Sequence, residues 1–136
     1  MFESTTQIRV RYAETDQMGV VYYGNYPTYF EVGRVEAIRT LGYSYKQMEE
    51  AGVMMPVVDV HIKYLRPAKY DDLLTVKTQI REMPCHKIVF HSEILNDAGK
   101  LLTKGEITLF FVDAVTFQRS SLPEPLREKL EPYFEK

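Results

Sequence analysis

The sequence lacks the features that mark several classes of protein. Among its 136 residues there is one cysteine, Cys85, so no internal disulfide can form and a reducing compartment is expected. The longest apolar runs, residues 53–58 and 107–112, are far too short to cross a bilayer. The formal net charge is only −2, which argues against a general binder of nucleic acid or anionic membranes. The first ten residues have an early acid and no apolar stretch, so we expect no signal peptide and a cytoplasmic protein.

Familiar catalytic and ligand-binding motifs are missing as well. The chain has no Gly-x-Ser-x-Gly elbow, no glycine-rich phosphate loop and no recognisable Ser/His/Asp arrangement. Its histidines, His61, His86 and His91, do not have the spacing of metal ligands. Cys85 is an isolated cysteine, and its surroundings in the sequence give no reason to call it a nucleophile. We therefore expect neither a metal nor a cofactor.

One long helix is the strongest positive signal. It is predicted from Asn25 to Leu41, with Asn25 as the N-cap, Pro27 in the first turn and Gly42 as the stop. Gly33 costs about 1 kcal/mol in a helix interior, so we expect another backbone or a ligand to come close there. More than a third of the circumference is apolar, formed by Tyr26, Tyr29, Phe30, Gly33, Ala37, Ile38 and Leu41. A helix of this kind must be covered by the rest of the chain.

Most of the remaining chain has the pattern of β-strands. The segment from Asn96 to Gly99 is typical of a tight hairpin turn, and a bulge is expected near Gly105 or Asp113 because the last strand is long. The predicted strands are Thr6–Ala13, Met54–Leu65, Leu73–Met83, His86–Leu95 and Leu101–Phe117, with short helices at Ser44–Ala51 and Pro123–Phe134. We predict one α+β domain over residues 1–136, in which a five-stranded antiparallel sheet wraps around one long central helix.

The segment from Tyr12 to Tyr26, between the first strand and the helix, is the best candidate for a site. It carries a carboxylate, Asp16, and leads to the free N–H groups at the start of a buried helix. Such a helix start favours an anion or a developing oxyanion, and a nearby carboxylate can serve as nucleophile or base in hydrolysis. The alternative is that Asp16 only forms a turn by accepting hydrogen bonds from its own backbone.

At this point the sequence resembles a known family. The segment from Tyr12 to Tyr26 contains Thr-Asp at 15–16, Gly-Val-Val-Tyr at 19–22 and Asn-Tyr at 25–26, and it is similar to the signature of the 4-hydroxybenzoyl-CoA thioesterase-like acyl-CoA thioesterases. Residues 30–36 match the helix pattern of that family, and residues 64–72 match its next strand and loop. The Tol–Pal-associated acyl-CoA thioesterases are similar as well. The resemblance covers nearly the whole chain.

The resemblance implies the hot-dog fold and the hydrolysis of an acyl-CoA thioester to a free acid and coenzyme A. It places Asp16 on the catalytic carboxylate and Tyr23 where a main-chain N–H binds the thioester carbonyl. Many Tol–Pal-associated members have His at that position, whereas the 4-hydroxybenzoyl branch has Tyr. Glu31 falls where the 4-hydroxybenzoyl branch uses an Asp to bind the phenol of its substrate, but Glu31 with Arg34 is typical of the short-chain acyl branch. The acyl group is therefore left open.

Further residues are candidates for binding the substrate. Tyr12 directly precedes the loop and Tyr26 directly follows it, although tyrosines in such places are also common as core or interface residues. Arg66, His86 and Lys87 could meet the phosphates of coenzyme A, and each could equally be a solvated surface residue. Glu31 and Arg34 could form an ordinary helical ion pair.

Three other functions share this fold. An acyl carrier protein thioesterase would use the same residues on a protein-bound substrate. A hot-dog dehydratase normally depends on a His, and none occurs before His61. A noncatalytic acyl-binding module would lack the carboxylate that Asp16 supplies. Because one five-stranded sheet leaves exposed edges, we also expect a homodimer or homotetramer, and the family resemblance implies active sites built across the dimer interface.

Overall fold

The structure, a computed structural model, describes residues 1–135. The strands are β1 (Phe2–Arg9), β2 (Val53–Met54), β3 (Val57–Tyr64), β4 (Leu73–Ile80), β5 (Lys87–Leu95), β6 (Leu101–Phe110) and β7 (Val112–Asp113). The helices are α1 (Tyr26–Thr40), α2 (Tyr45–Glu50) and α3 (Glu124–Leu130). No helix within residues 1–135 is both long enough and apolar enough to cross a membrane.

The main sheet has five antiparallel strands in the order β1-β4-β5-β6-β3. This confirms the predicted fold class. On β4 and β5 buried and partly exposed residues alternate, because one face of the sheet packs on the central helix and the other faces solvent. The strand β3 lies at one edge of the sheet, and β2 and β7 form a small separate ribbon.

The helix α1 packs across the middle of the sheet with its apolar face inward. All seven residues predicted for that face are buried, and Gly42 ends the helix with a φ of +83°. A Cβ at Gly33 would lie 2.6 Å from Val76 Cγ1 on β4. The expected close approach at Gly33 is confirmed, but its partners are side chains of β4 and not another backbone or a ligand.

Several predicted strand boundaries are wrong. The first strand is β1, so it begins earlier and ends before Tyr12, which lies in a short helical turn, Tyr12–Glu14. The predicted strand at Leu101–Phe117 is broken after Phe110, since the chain leaves the main sheet to form β7. The last strand does carry one irregularity, at Leu102, where the pairing with β5 skips from Leu101 to Thr103. Gly105 is not part of it, because it pairs in regular register with Ile62 and Ser92. Instead, a Cβ at Gly105 would lie 2.7 Å from the Phe30 ring, so this glycine makes room for the helix.

Candidate active site

A small hairpin, residues 14–22, delivers the chain to the central helix. The Tyr22 N–H donates to the Glu14 carbonyl at 2.9 Å, and the Asp16 N–H donates to the Val20 carbonyl at 2.9 Å. The chain then makes a short helical turn, Tyr23–Asn25, which runs directly into α1. Tyr22 lies opposite Glu14 in this hairpin, and Asp16 is two residues beyond Glu14. At about 3.3 Å per residue, Asp16 is therefore roughly 7 Å from Tyr22 along the hairpin.

Asp16 is held by its own turn and keeps one oxygen free. Its Oδ1 accepts the Met18 N–H at 2.9 Å, and its carbonyl accepts the Gly19 N–H at 3.0 Å. Gly19 adopts a φ of +78°, which the turn requires. The Oδ2 atom has no hydrogen-bond partner within residues 1–135. Asp16 is thus a turn former, as the alternative held, and it also presents an unused carboxylate oxygen.

Glu14 anchors the hairpin, and the sequence interpretation missed it. It is 8% exposed, and its carboxylate accepts hydrogen bonds from the Arg11 N–H, the Arg11 guanidinium and the Tyr29 hydroxyl. Burial alone would raise the pKa of Glu14, but these hydrogen bonds together lower it below its ordinary value. Burial and the Glu14 carboxylate both raise the pKa of Tyr29, so its hydroxyl remains a donor. The three-residue spacing of Arg11 and Glu14 was the available signal.

Two backbone donors are free where the helical turn begins. Neither the Tyr23 N–H nor the Gly24 N–H has a hydrogen-bond acceptor among the residues that the structure describes. The Asn25 N–H is used, since it donates to the Tyr22 carbonyl. Asn25 is the N-cap residue, as predicted, but its side chain makes no capping hydrogen bond to the helix. Its Nδ2 donates instead to the Glu14 carbonyl at 2.8 Å. This bond ties the helix start to the hairpin.

A shallow cavity of about 260 Å³ lies beside these donors. It brings together three of the predicted site residues, Tyr23, Tyr26 and Arg66, with Val21 and Tyr64. Tyr26 is 2% exposed, and its hydroxyl accepts the Ala68 N–H, so only a small part of its ring faces the cavity. Arg66 donates to the Leu101 carbonyl at 3.3 Å.

Other predicted residues lie outside this cavity. Tyr12 is 77% exposed and packs against the Tyr70 ring at 5.4 Å between centroids. Glu31 is exposed on α1. Arg34 is buried, but the possible ion pair with Glu31 is not found within residues 1–135. Arg34 lies near Tyr45 instead, and burial raises the pKa of the Tyr45 hydroxyl to about 12.

The two remaining candidates for coenzyme A binding, His86 and Lys87, are far from Arg66 in the same chain. They lie at the start of β5, where they line a separate cavity of about 610 Å³. Arg66 lies near Leu101, which pairs with Leu95 at the other end of β5. Eight residue steps along the strand separate these ends by about 26 Å. No group of His, Cys, Asp and Glu side chains within residues 1–135 is arranged to hold a metal ion.

Comparison with known proteins gives a consistent result. Residues 10–130 match the family model of the thioesterase-like superfamily. YneP of Bacillus subtilis (strain 168), provisionally named an acyl-CoA thioesterase, is 43% identical over 87% of this chain and 86% of its own. The acyl-CoA thioester hydrolase YbgC of Escherichia coli O157:H7 is 31% identical over 88% of this chain and 89% of its own.

Among solved structures, the DHNA-CoA thioesterase of Staphylococcus aureus superposes with a TM-score of 0.90 at 39% identity. The match covers 98% of this chain and 90% of that structure. The hot-dog fold expected from the resemblance is thereby confirmed.

Proposed function

The chain belongs to the thioesterase-like superfamily, and from this membership we propose that it hydrolyses an acyl-CoA thioester to a free acid and coenzyme A. The observation that carries the proposal is local. One hairpin presents the unused Oδ2 of Asp16 and leads, seven residues later, to the free N–H groups of Tyr23 and Gly24. A carboxylate and backbone donors on one hydrogen-bonded segment are what thioester hydrolysis needs.

In the proposed reaction the Tyr23 N–H binds the thioester carbonyl oxygen and stabilises the negative charge that develops there. Asp16 then acts in one of two ways. It attacks the carbonyl carbon, expelling the thiolate and leaving an anhydride that water cleaves, or it removes a proton from a water that attacks directly. Both routes consume one water and release the acid and the thiol, and the free Oδ2 atom suits both.

The substrate lies against the cavity beside Tyr23. Tyr26 forms its floor and Arg66 stands at its edge, where a guanidinium suits a phosphate of coenzyme A. Glu31 is proposed to contact the acyl group, and Tyr12 is proposed to lie at the entrance of the site. An acyl carrier protein substrate would use the same residues and is the second candidate, and a noncatalytic acyl-binding module is the third.

The proposed active form is a homodimer or a homotetramer. The edge strand β3 leaves its outer backbone groups unpaired and exposes apolar side chains, namely Val57, Val58, Val60 and Tyr64. Antiparallel pairing of two β3 strands would satisfy these groups. It would also bring the partner's His86 and Lys87, at the start of its β5, to the end of the sheet at which Arg66 of the first protomer lies. A role for His86 and Lys87 in coenzyme A binding therefore depends on the dimer.

A substrate panel tests the proposed activity. Straight-chain and aromatic acyl-CoA thioesters are assayed by release of free thiol, beside the same acyl groups on acyl carrier protein. We expect turnover of at least one acyl-CoA well above that of its carrier-protein counterpart. Faster turnover on the carrier protein would favour the second candidate, and no thiol release from any member would favour the noncatalytic module.

Light scattering at micromolar concentration tests the assembly. The expected mass is two or four times that of the chain. A monomer with full activity would contradict a site that needs the partner.

A further inference from the structure

The hydroxyl of Tyr64 is bonded to the backbone of the proposed site. Tyr64 is the last residue of β3, and its hydroxyl donates to the Tyr23 carbonyl at 3.0 Å across 41 residues of sequence. The same carbonyl also accepts the Tyr26 N–H. The edge strand of the sheet is thus tied to the helical turn that starts the central helix.

The hydrogen bond from Tyr64 orients the whole peptide group between Tyr23 and Gly24. The Tyr23 carbonyl and the Gly24 N–H belong to one planar trans peptide group, so they point in opposite directions. Holding the carbonyl on Tyr64 therefore sets the direction of the Gly24 N–H, which is one of the two free donors. A hydrogen bond to the carbonyl oxygen also polarises the amide and strengthens its N–H as a donor.

The surroundings of Tyr64 suit this task. Its ring packs edge-on against the rings of Tyr23 and Tyr26, with centroids 6.3 Å and 5.2 Å away. Burial, and then the neighbouring Tyr26 and Tyr23, raise the pKa of the Tyr64 hydroxyl, so it remains protonated and able to donate. At Gly24, an added Cβ would lie 2.7 Å from the Tyr22 ring. The Tyr22 ring therefore lies against Gly24, although Tyr23 and Gly24 remain exposed.

We propose that Tyr64 is a positioning residue of the thioesterase site, holding the Tyr23–Gly24 peptide so that the Gly24 N–H joins the Tyr23 N–H as a second donor to the thioester oxygen. The proposal rests on the proposed function. It assigns to Tyr64 a role that depends on its hydroxyl and not on its ring. The acceptor is the oxygen on which charge develops, so the effect belongs to the chemical step and not to substrate binding.

The variant Tyr64→Phe removes the hydroxyl and keeps the ring. Deleting one oxyanion donor costs about 10²- to 10³-fold in kcat, and loss of a group that only orients a donor should cost less, about 10-fold. We expect that fall in kcat, a KM within about twofold of wild type and little change in Tm. The control is Tyr133→Phe, because Tyr133 has the same exposed fraction of 46% as Tyr64 and packs on Phe2 outside the site.

A spectroscopic readout separates positioning from general loss of structure. The probe is a ketone analogue of acyl-CoA with ¹³C at the carbonyl and a methylene in place of the thioester sulfur. Bound to wild type, its carbonyl stretch is lowered by the two donors, and Tyr64→Phe should move it to higher wavenumber. An unchanged band, or a loss confined to KM, overturns the proposal. Since the analogue is not hydrolysed, this outcome is independent of whether Asp16 is the catalytic carboxylate.

Discussion

Two turns of the chain, Asp16–Gly19 and Asn96–Gly99, have the same backbone hydrogen bonds. In each, the first residue donates to the carbonyl four residues on and its own carbonyl accepts the glycine N–H. In each, the first side chain accepts the N–H two residues on through Oδ1, at 2.9 Å for Asp16 and 3.0 Å for Asn96. Both glycines have positive φ, +78° and +79°. An asparagine side chain therefore supports this turn as well as an aspartate side chain does.

The first side chains of the two turns differ in one atom, and Asn96 Oδ1 also accepts the Lys100 N–H at 2.9 Å. The turn contacts use Oδ1 in both cases, and where Asn96 has an amide nitrogen Asp16 has a second oxygen without a partner in residues 1–135. The fold therefore does not require a carboxylate at position 16. Asp16 does not line the cavity beside Tyr23. What remains to explain the carboxylate is its place on the hairpin that leads to the free donors of Tyr23 and Gly24, which is why we assign it to chemistry.

The largest effect is expected from removing that oxygen. Asp16→Asn gives the first turn the same leading side chain as the second and keeps the Oδ1 acceptor, so Tm and oligomeric state should stay near those of wild type. Loss of a positioned base or nucleophile lowers kcat by roughly 10²- to 10⁴-fold or more. The reciprocal variant Asn96→Asp is the control and should keep wild-type turnover. A destabilised Asp16→Asn protein would show that the two turns are not equivalent.

A second, smaller effect sharpens the contrast between Asp16 and its neighbour Glu14. All contacts of the Glu14 carboxylate are internal, so Glu14→Gln should lower the free energy of unfolding by about 2 kcal/mol and Tm by about 5–10 °C. Its backbone carbonyl still holds Tyr22 and Asn25, so the folded variant should retain turnover at low temperature. Chemical unfolding and thiol release on the same sample measure both quantities. Loss of turnover without loss of stability would give Glu14 a chemical role.

The pH dependence of stability is the third test. The folded pKa of Glu14 lies below its ordinary value of 4.5, so its contribution is fully present above that value and is lost as pH falls through the folded pKa. The stability gap between wild type and Glu14→Gln should therefore be constant at neutral pH and close below about pH 4. Urea unfolding at pH 7 and at acid pH measures the gap. A gap that widens on acidification would reverse the assigned sign.

The smallest effects are expected from changing two side chains, those of Tyr23 and Glu31, that take no part in the proposed chemistry. Tyr23→Phe should keep most activity, because the proposed contact is its main-chain N–H. Glu31→Gln should change kcat by less than about threefold, since Glu31 is exposed and more than one turn inside the helix. It should act on substrate preference or stability instead. A dead Glu31→Gln enzyme would move the catalytic carboxylate onto the helix.

The sequence predicted the elements whose signals are local. The helix α1 was placed within one residue at each end, because its apolar face, Pro27 and Gly42 all lie within its own segment. The first strand was placed too late, since the alternation of Ile8 and Val10 continues to Tyr12 although the chain has turned by then. Periodicity does not reveal where a strand loses its partner.

The contacts around the proposed site were predicted only in part, for the same reason. Asp16 and Tyr23 stand in one short motif, but the bonds that orient them come from elsewhere: Glu14 binds Tyr29 across 15 residues, and Tyr64 binds Tyr23 across 41. The interpretation grouped Arg66 with His86 and Lys87 by charge, and the sheet places them at opposite ends. Only the folded topology supplies these distances.

The most direct measurement of the central claim is a single turnover with enzyme in excess over the best acyl-CoA of the panel, comparing wild type with Asp16→Asn. Substrate affinity is measured on the same samples, so that binding and chemistry are separated. The account predicts an unchanged Kd and a rate constant for thiol release that is lower by at least about 10²-fold. An unchanged rate constant in the folded variant would contradict it.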